Sequence, residues 1–324
     1  MRLVKGMVKG FACAAALVAA QAEAQQYPQR PIRVIVGFAA GGPTDVIARV
    51  LGQDMTQVLG QTIVVDNRTG ANSLIATEMV ARATPDGHTL LFASLSHNVN
   101  YLLIEKKSYH PLRDFAPISL AAVLPLLLVT RPETPAKTVG ELVDMAKAKP
   151  GVITYGSAGN GGSAHLAAAM LETMSGARMT HIPFRGNAPA LIDVMSGQVT
   201  FMFYPLIGIA EHVAAKRLKV LAVGTAKRHS DYPTAPTMAE AGYPGFEDTA
   251  PWVGMLAPAG TPGAIVDRLS GEIKKSLGKP EVRERLVALG AINVGSTPAE
   301  FVEFLKKDAE RWARVIKAAG VKAQ

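Results

Sequence analysis

The sequence predicts an α/β protein built as two lobes, and three observations carry that prediction. Runs rich in Val, Ile and Leu, apolar without alternation, recur at 32–38, 62–66, 88–93, 126–130, 152–155, 179–184, 199–203, 218–223 and 252–256. Strands apolar on both faces suit a parallel sheet covered on both sides. Segments of helical period lie between these runs, the alternation expected of an α/β chain. Finally, one part of the chain repeats the element order of another.

The elements follow in order. Residues 45–59 place apolar side chains at helical spacing and stop at Gly60. Residues 73–83 do the same and stop before the turn Pro85-Asp86-Gly87. Helices are predicted over 163–174, ending at Gly176, and over 188–195, ending at Gly197. At the C-terminus, Thr297-Pro298-Ala299-Glu300 supplies a cap, a proline at the first helical position and an early acid. Phe301, Leu305, Trp312 and Ile316 then fall on one face, which reads as a packing helix. The internal echo is the most informative feature. A Gly-rich turn, 37–45, leads through helix and strand to an Arg-plus-Gly turn, 67–72, then a helix and strand 88–93. The turn 156–165 leads in the same order to Arg185-Gly186-Asn187 and strand 199–203. Two β-α-β-α-β units of this kind form two lobes whose loops face each other.

The first ten residues are basic and carry no acid, residues 11–20 are uncharged and apolar, and Ala22-Glu23-Ala24 offers small residues at the positions a signal peptidase reads. We expect a signal peptide cleaved after Ala24, too short to serve as a bilayer span. The single cysteine, Cys13, lies within it, so the remaining chain has no disulfide and no thiol catalyst. Of the formal charge of +8, Arg2, Lys5, Lys9 and Glu23 account for +2, leaving +6 on residues 25–324. That balance favours anionic ligands. The basic residues are scattered and form no block, and only Tyr101 near Lys106-Lys107 offers a stacking partner, which argues against nucleic acid. No later apolar run reaches membrane length, the longest, 120–129, being broken by Pro125.

A Gly-rich strand-to-helix turn presents backbone N–H groups at a helix N-terminus, where donors and dipole favour an anion. In the first turn the candidate ligand-facing residues are Phe38, Ala39, Ala40, Gly41, Gly42, Thr44 and Asp45, and in the second Gly70, Ala71, Asn72 and Ser73. Ser94 at the end of strand 88–93 joins them. From the other unit come Ser157, Gly159, Asn160 and Ser163, with Arg185 at its second turn. His165 either braces its loop or touches ligand. The amides of Ala39 to Gly42 and Gly70 to Ser73 are expected to meet the ligand charge, with Gly41 as the point of closest approach. Arg68 and Arg185 are the alternatives, although Arg68 can point to solvent and Arg185 can pair with Asp193. Enzyme signatures fail. Gly156 to Ser163 lacks a P-loop lysine, and 161–165 lacks the last glycine of a nucleophile elbow. Ser276 to Lys279 matches S-x-x-K alone, and the seven histidines form no metal-ligand spacing. No cofactor, metal or catalytic residue is expected.

The stretches 31–45, 85–91, 155–161 and 257–262 resemble the Bug-type substrate-binding proteins of tripartite tricarboxylate transporters, and the resemblance covers nearly the whole chain. It implies a two-lobed, type II-like Venus flytrap fold of periplasmic binding proteins with two crossovers. It further implies a periplasmic location and a carboxylate held by backbone amides and ordered waters. The implied partner is a membrane permease. The chain departs from the family at two places. After Asn67-Arg68 it has Thr69-Gly70-Ala71-Asn72-Ser73-Leu74 where the family is richer in glycine, and Tyr204 stands where the family usually has aspartate. Tyr204 is therefore a further candidate, pointing to a less polar or aromatic ligand. We expect lobe one from 25–125 plus 250–324, lobe two from 126–249, and a monomer. Two rival functions stand beside uptake: ligand delivery to a sensor receptor, and a hydrolase or transferase using Ser163 or Ser157 with His165.

Overall fold

The computed structural model describes residues 27–321, so the expected signal segment with Cys13 lies outside the described residues. The chain first runs through strands β1 (Ile32–Val36), β2 (Ile63–Asn67), β3 (Thr89–Ser94) and β4 (Phe115–Val123). It continues through β5 (Leu126–Thr130), β6 (Thr154–Ser157), β7 (Thr180–Pro183), β8 (Phe201–Pro205) and β9 (Lys219–Val223). It returns through β10 (Trp252–Pro258) and β11 (Ile292–Asn293). Two sheets result. One has the order β11-β4-β10-β3-β1-β2, the other β7-β6-β8-β5-β9.

The helices between them are α1 (Pro43–Leu59), α2 (Leu74–Ala81), α3 (Ser96–Leu103), α4 (Val139–Ala148), α5 (Ser163–Ser175) and α6 (Asn187–Ser196). After these come α7 (Ala210–Ala214), α8 (Gly263–Gly278), α9 (Pro280–Ala288) and α10 (Pro298–Ala318). None is long and apolar enough to cross a membrane among the described residues. The echo of the sequence is an echo of topology. In β1-α1-β2-α2-β3 and in β6-α5-β7-α6-β8 the first strand lies between the other two and runs parallel to both.

The expectation of parallel sheets is corrected at the short edge strand β11, antiparallel to β4, and at two interior strands. β10 runs antiparallel to β3 and β4, and β5 runs antiparallel to β8 and β9. Both are fully buried. Apolarity on both faces reports coverage on both faces and carries no information on direction. Each of the two interior strands enters its sheet from the other lobe, hence from the opposite end.

The two crossovers lie side by side. Leu124 N donates to Pro251 O at 2.8 Å, and Gly224 N to Leu126 O at 2.7 Å. A further bridge was not foreseen: after β8 the second lobe sends Ile207 into the hydrophobic core of the first, and Gly208 N donates to Leu289 O at 3.1 Å. The C-terminal helix α10 starts with the full capping box of Thr297 and Glu300. It buries Phe301, Leu305 and Trp312 in the first lobe. Between these, buried Asp308 accepts from Asn98 Nδ2 and Trp252 Nε1, both at 2.8 Å, and pairs with Arg311. Just past the helix, Ala319 and Val321 pack on the core of the second lobe.

His97, at the start of α3, is buried against Tyr109 and Phe115, its Nε2 2.9 Å from Pro111 O. Burial lowers its pKa from 6.5 to about 4. The unfolded chain binds this proton below about pH 6.5 and the folded chain only below about pH 4. Stability is therefore full at neutral pH and falls as the pH drops through that window, by about 3 kcal/mol from His97. Urea unfolding between pH 7.5 and 4.5 should show that decline, and His97→Gln should remove the His97 share of it, the rest coming from His165 and His181, whose pKa values burial lowers to about 4 and about 3. An unchanged slope in the variant removes His97 as the cause.

Candidate functional site

The site is built where Gly-rich turns of the two lobes meet. In the first lobe, α1 begins at Gly42 with Pro43 at its first position and no side-chain cap. Proline is tolerated there because that N–H has no helical partner in any case. In the second lobe, α5 begins at Gly162 and α6 at Gly186, again without side-chain caps. Among the described residues, the N–H groups of Ala40, Thr44 and Asp45 donate to nothing, nor do those of Ser163, Ala164 and His165. Gly42, Thr44, Ser163 and Asn187 line one inner pocket of about 30 Å3, with Phe38, Ser94, Ser96, Asn72 and Trp252 also in its wall. Three helix N-termini thus converge on a space whose walls contain no charged side chain. Unsatisfied N–H donors with aligned helix dipoles amount to a partial positive charge awaiting an anion.

An outer cavity of about 470 Å3 adjoins it, sharing Asn72 and Ala158 as walls. It is lined by Gly70 to Leu74 from one lobe and by Gly159, Asn160, His165, Phe184 and Arg185 from the other. Its only charged side chain is Arg185, which lines the cavity without an acidic partner. The expected alternative pairing of Arg185 with Asp193 is not formed. The lobes touch at this level: Ala39 N donates to Arg185 O at 3.2 Å.

Several candidates stand elsewhere than expected. Asp45 faces neither cavity. Its buried carboxylate accepts from Gly41 N at 2.9 Å, from Asn67 Nδ2 at 2.9 Å and from Arg49 Nε at 2.9–3.0 Å. Burial alone would raise its pKa, but these hydrogen bonds outweigh it and hold the group below the usual carboxylate range. Asp45 is thus the fastener of the first turn. It consumes the Gly41 N–H that we had expected to meet the ligand, while Ala39 N and Gly42 N go to Arg185 O and Ala39 O. Of the expected amides of Ala39 to Gly42, that of Ala40 alone stays free among the described residues, joined by those of Thr44 and Asp45. Gly41 lines neither cavity. A Cβ there would meet nothing within 4 Å, and the glycine serves its backbone φ of +79°.

Arg68 turns away from the site and pairs with Asp66 at 3.0 Å, alongside Arg33. Tyr204 is a correction too: it lines neither cavity and packs with Leu127, Ala190 and Val223 inside the second lobe. Ser157 is fully buried. Its hydroxyl lies 2.6 Å from His181 Nε2 and accepts from Gly159 N. This Ser–His contact looks like half a triad, but among the described residues no carboxylate is hydrogen-bonded to His181, and the hydroxyl is sealed beneath the turn it holds. His165 accepts from Gly161 N at 2.9 Å and stacks on His181 with ring centroids 4.1 Å apart, while also lining the outer cavity. Burial lowers its pKa to about 4, so it remains a neutral acceptor. It braces the loop and borders the cavity at once. Among the wall residues missed, four carry hydrogen-bonding side chains: Ser96, Asn100, Asn187 and Trp252. Only Asn187 carried a signal, as the residue after the second-turn glycine. Among the described residues no three His, Cys, Asp or Glu cluster as metal ligands.

Residues 47–321 match the profile of the tripartite tricarboxylate transporter family receptor. The chain is 37% identical to the protein BugT of Bordetella pertussis over 317 residues, 97% of each chain. Its fold is similar to that of the periplasmic binding protein BugD, with TM-score 0.88 and 36% identity over 92% of this chain and 100% of that one. A Rhodopseudomonas palustris protein solved with adipate gives TM-score 0.87 at 34% identity, covering 91% of this chain and 98% of that one. The MatC protein of the same organism, with bound malate, gives 0.85 at 32%, covering 90% and 100%.

Proposed function

We propose, from the premise that this chain belongs to the tripartite tricarboxylate transporter receptor family, that it captures a small carboxylate-bearing solute between its lobes for uptake. The observation that carries this reading is the convergence of the uncapped N-termini of α1, α5 and α6 on one uncharged pocket. The carboxylate enters the inner pocket, whose volume of about 30 Å3 is room for about two water molecules. The rest of the ligand extends past Asn72 into the outer cavity beside Arg185. Thr44 and Ser163 hydroxyls orient the carboxylate, and the free N–H groups of the helix starts meet its charge. Residues 1–24 are an export signal, 25–125 plus 250–324 and 126–249 move as the two lobes, and a membrane permease receives the loaded protein. The adipate and malate of the R. palustris proteins support the class of ligand.

The test is a thermal-shift panel of mono- and dicarboxylates, amines and sugars. Ligand at a hundredfold excess over Kd stabilises the fold by about 2.7 kcal/mol, so carboxylates should raise the Tm. A shift with amines or sugars and none with any carboxylate overturns the reading. Arg68→Ala should change affinity less than about tenfold, about 1.4 kcal/mol, because its partner is Asp66 on the surface. Loss of binding in that variant would replace the backbone cradle by an arginine clamp.

A further inference from the structure

The turn between β2 and α2 carries four successive residues in the left-handed region, of which only the first is glycine: Gly70 at φ +138°, Ala71 at +44°, Asn72 at +51° and Ser73 at +72°. Non-glycine residues in that region are held against a local cost by their surroundings, and such strain gathers at ligand sites. Here the surroundings can be named. Asn72 is 7% exposed and pinned by Asn100 through two hydrogen bonds. Asn100 Nδ2 donates to the backbone carbonyl of Asn72 at 2.9 Å, and Asn72 Nδ2 donates to Asn100 Oδ1 at 3.2 Å.

That pair fixes which end of the Asn72 amide faces the cleft. The carbonyl of Asn72 accepts only from a donor, so the Asn100 atom beside it must be nitrogen. Asn100 then offers oxygen to Asn72, so the Asn72 atom facing it must be nitrogen as well. Turning the Asn72 amide over would replace its bond to Asn100 Oδ1 by an oxygen–oxygen contact. What remains is Asn72 Oδ1, buried and with no hydrogen-bond partner, at the boundary shared by the inner pocket and the outer cavity. A Cβ built on Gly162, the residue that starts α5, would lie 3.7 Å from it. A buried acceptor without a donor is costly. It lies beside the pocket where the ligand carboxylate is placed.

The structure assigns Asn72 as a specificity-determining residue whose Oδ1 accepts a hydrogen bond from a hydroxyl or ammonium group carried by the ligand next to its carboxylate. This rests on the carboxylate reading above and narrows it to 2-hydroxy or 2-amino carboxylates. Asn72 lies in the turn, 69–74, at which this chain departs from the more glycine-rich pattern of the family it resembles.

The test uses ligands that differ at one atom. Succinate, malate, aspartate and 2-methoxysuccinate share a four-carbon skeleton and offer at C2 no donor, a hydroxyl, an ammonium and an acceptor alone. Parallel pairs, plain and 2-hydroxylated, cover three, five and six carbons. Dissociation constants are measured by calorimetry on the full chain and on Asn72→Gly. At whichever length binds, a donor-bearing ligand should bind at least about tenfold tighter than the plain and methoxy ones, and malate against aspartate tells hydroxyl from ammonium. In Asn72→Gly the preference should fall below about twofold. Glycine adopts φ +51° without strain and keeps the bond from Asn100 to the backbone carbonyl, so that variant should fold with a Tm lowered only by the loss of the side-chain bond to Asn100, and any general loosening cancels between paired ligands. Equal binding of plain and donor-bearing ligands by the wild type, or a preference that survives in Asn72→Gly, overturns the assignment and means that water satisfies Oδ1. If plain carboxylates bind, the carboxylate reading stands in either case. If no carboxylate binds at any length, that reading fails and this assignment with it.

Discussion

Gly186→Val should lower ligand affinity by more than about a hundredfold while the protein still folds. A Cβ on Gly186 would lie 3.0 Å from Ala39 N and 3.1 Å from Ala39 Cβ, where the lobes touch. Valine adds two methyl groups to that Cβ, and a backbone at φ +150° resists a β-branched side chain. The lobes are wedged apart at the level of the Ala39–Arg185 hydrogen bond. The helix starts then cease to converge, and a carboxylate meets one lobe alone. Calorimetry should show the loss, and X-ray scattering at saturating ligand should show no compaction. Wild-type affinity in this variant would mean that closure to this contact is not needed for capture.

Asp45→Ala should cost about 2–3 kcal/mol in stability, the scale for hydrogen bonds to a charged group, since its partner Arg49 is half exposed, and should abolish binding as well. Asp45 is 2% exposed, and three donors converge on it: Gly41 N, Asn67 Nδ2 and Arg49 Nε. Alanine takes that acceptor from Gly41 N and Arg49 Nε and leaves Asn67 Nδ2 with Phe38 O alone, and the turn that aims α1 at the pocket loses its fastener. Urea unfolding measures the first effect and calorimetry the second. Asp45→Asn keeps the shape and one acceptor, so it should fall between. A variant with lost stability but intact affinity would separate the brace from the site.

The parts of the fold legible in the sequence were those marked by glycine. The turn signals at Gly60, Gly176 and Gly197 fall at helix ends, each with left-handed backbone. The repeated unit was legible because both copies spell strand, Gly-rich turn and helix in one order. Strand β4 was not, because Pro117 and Ser119 interrupt its apolar run and its pairing is supplied by β10, more than 130 residues away. Helix α3 was missed for the opposite reason: Ser96, His97, Asn98 and Asn100 are polar yet buried, so no amphipathic period shows. Tyr204 was misplaced because every residue of β8 is buried. Burial on both faces hides which face meets the cleft, and neighbours on a strand point to opposite sides. Phe203 packs with Phe201 and Phe246, Tyr204 with Leu127. The tie between Asn72 and Asn100, and that between Ser157 and His181, join residues 28 and 24 apart, a distance at which spacing alone says nothing.

The C-terminal helix has a mechanical consequence. It is rooted in the first lobe through Phe301, Leu305 and Trp312, and the residues that follow it are anchored in the second through Ala319 and Val321. Val321 also forms part of the outer cavity wall. The helix is therefore a tie-rod laid across the joint. Any swing of the lobes must withdraw its tip from the second lobe or drag the tip along, so the travel of the trap is set partly by a few side chains at the chain's end. A bulky fusion placed there loads the same joint, and the choice of terminus for a purification tag becomes a choice about how far this protein can open.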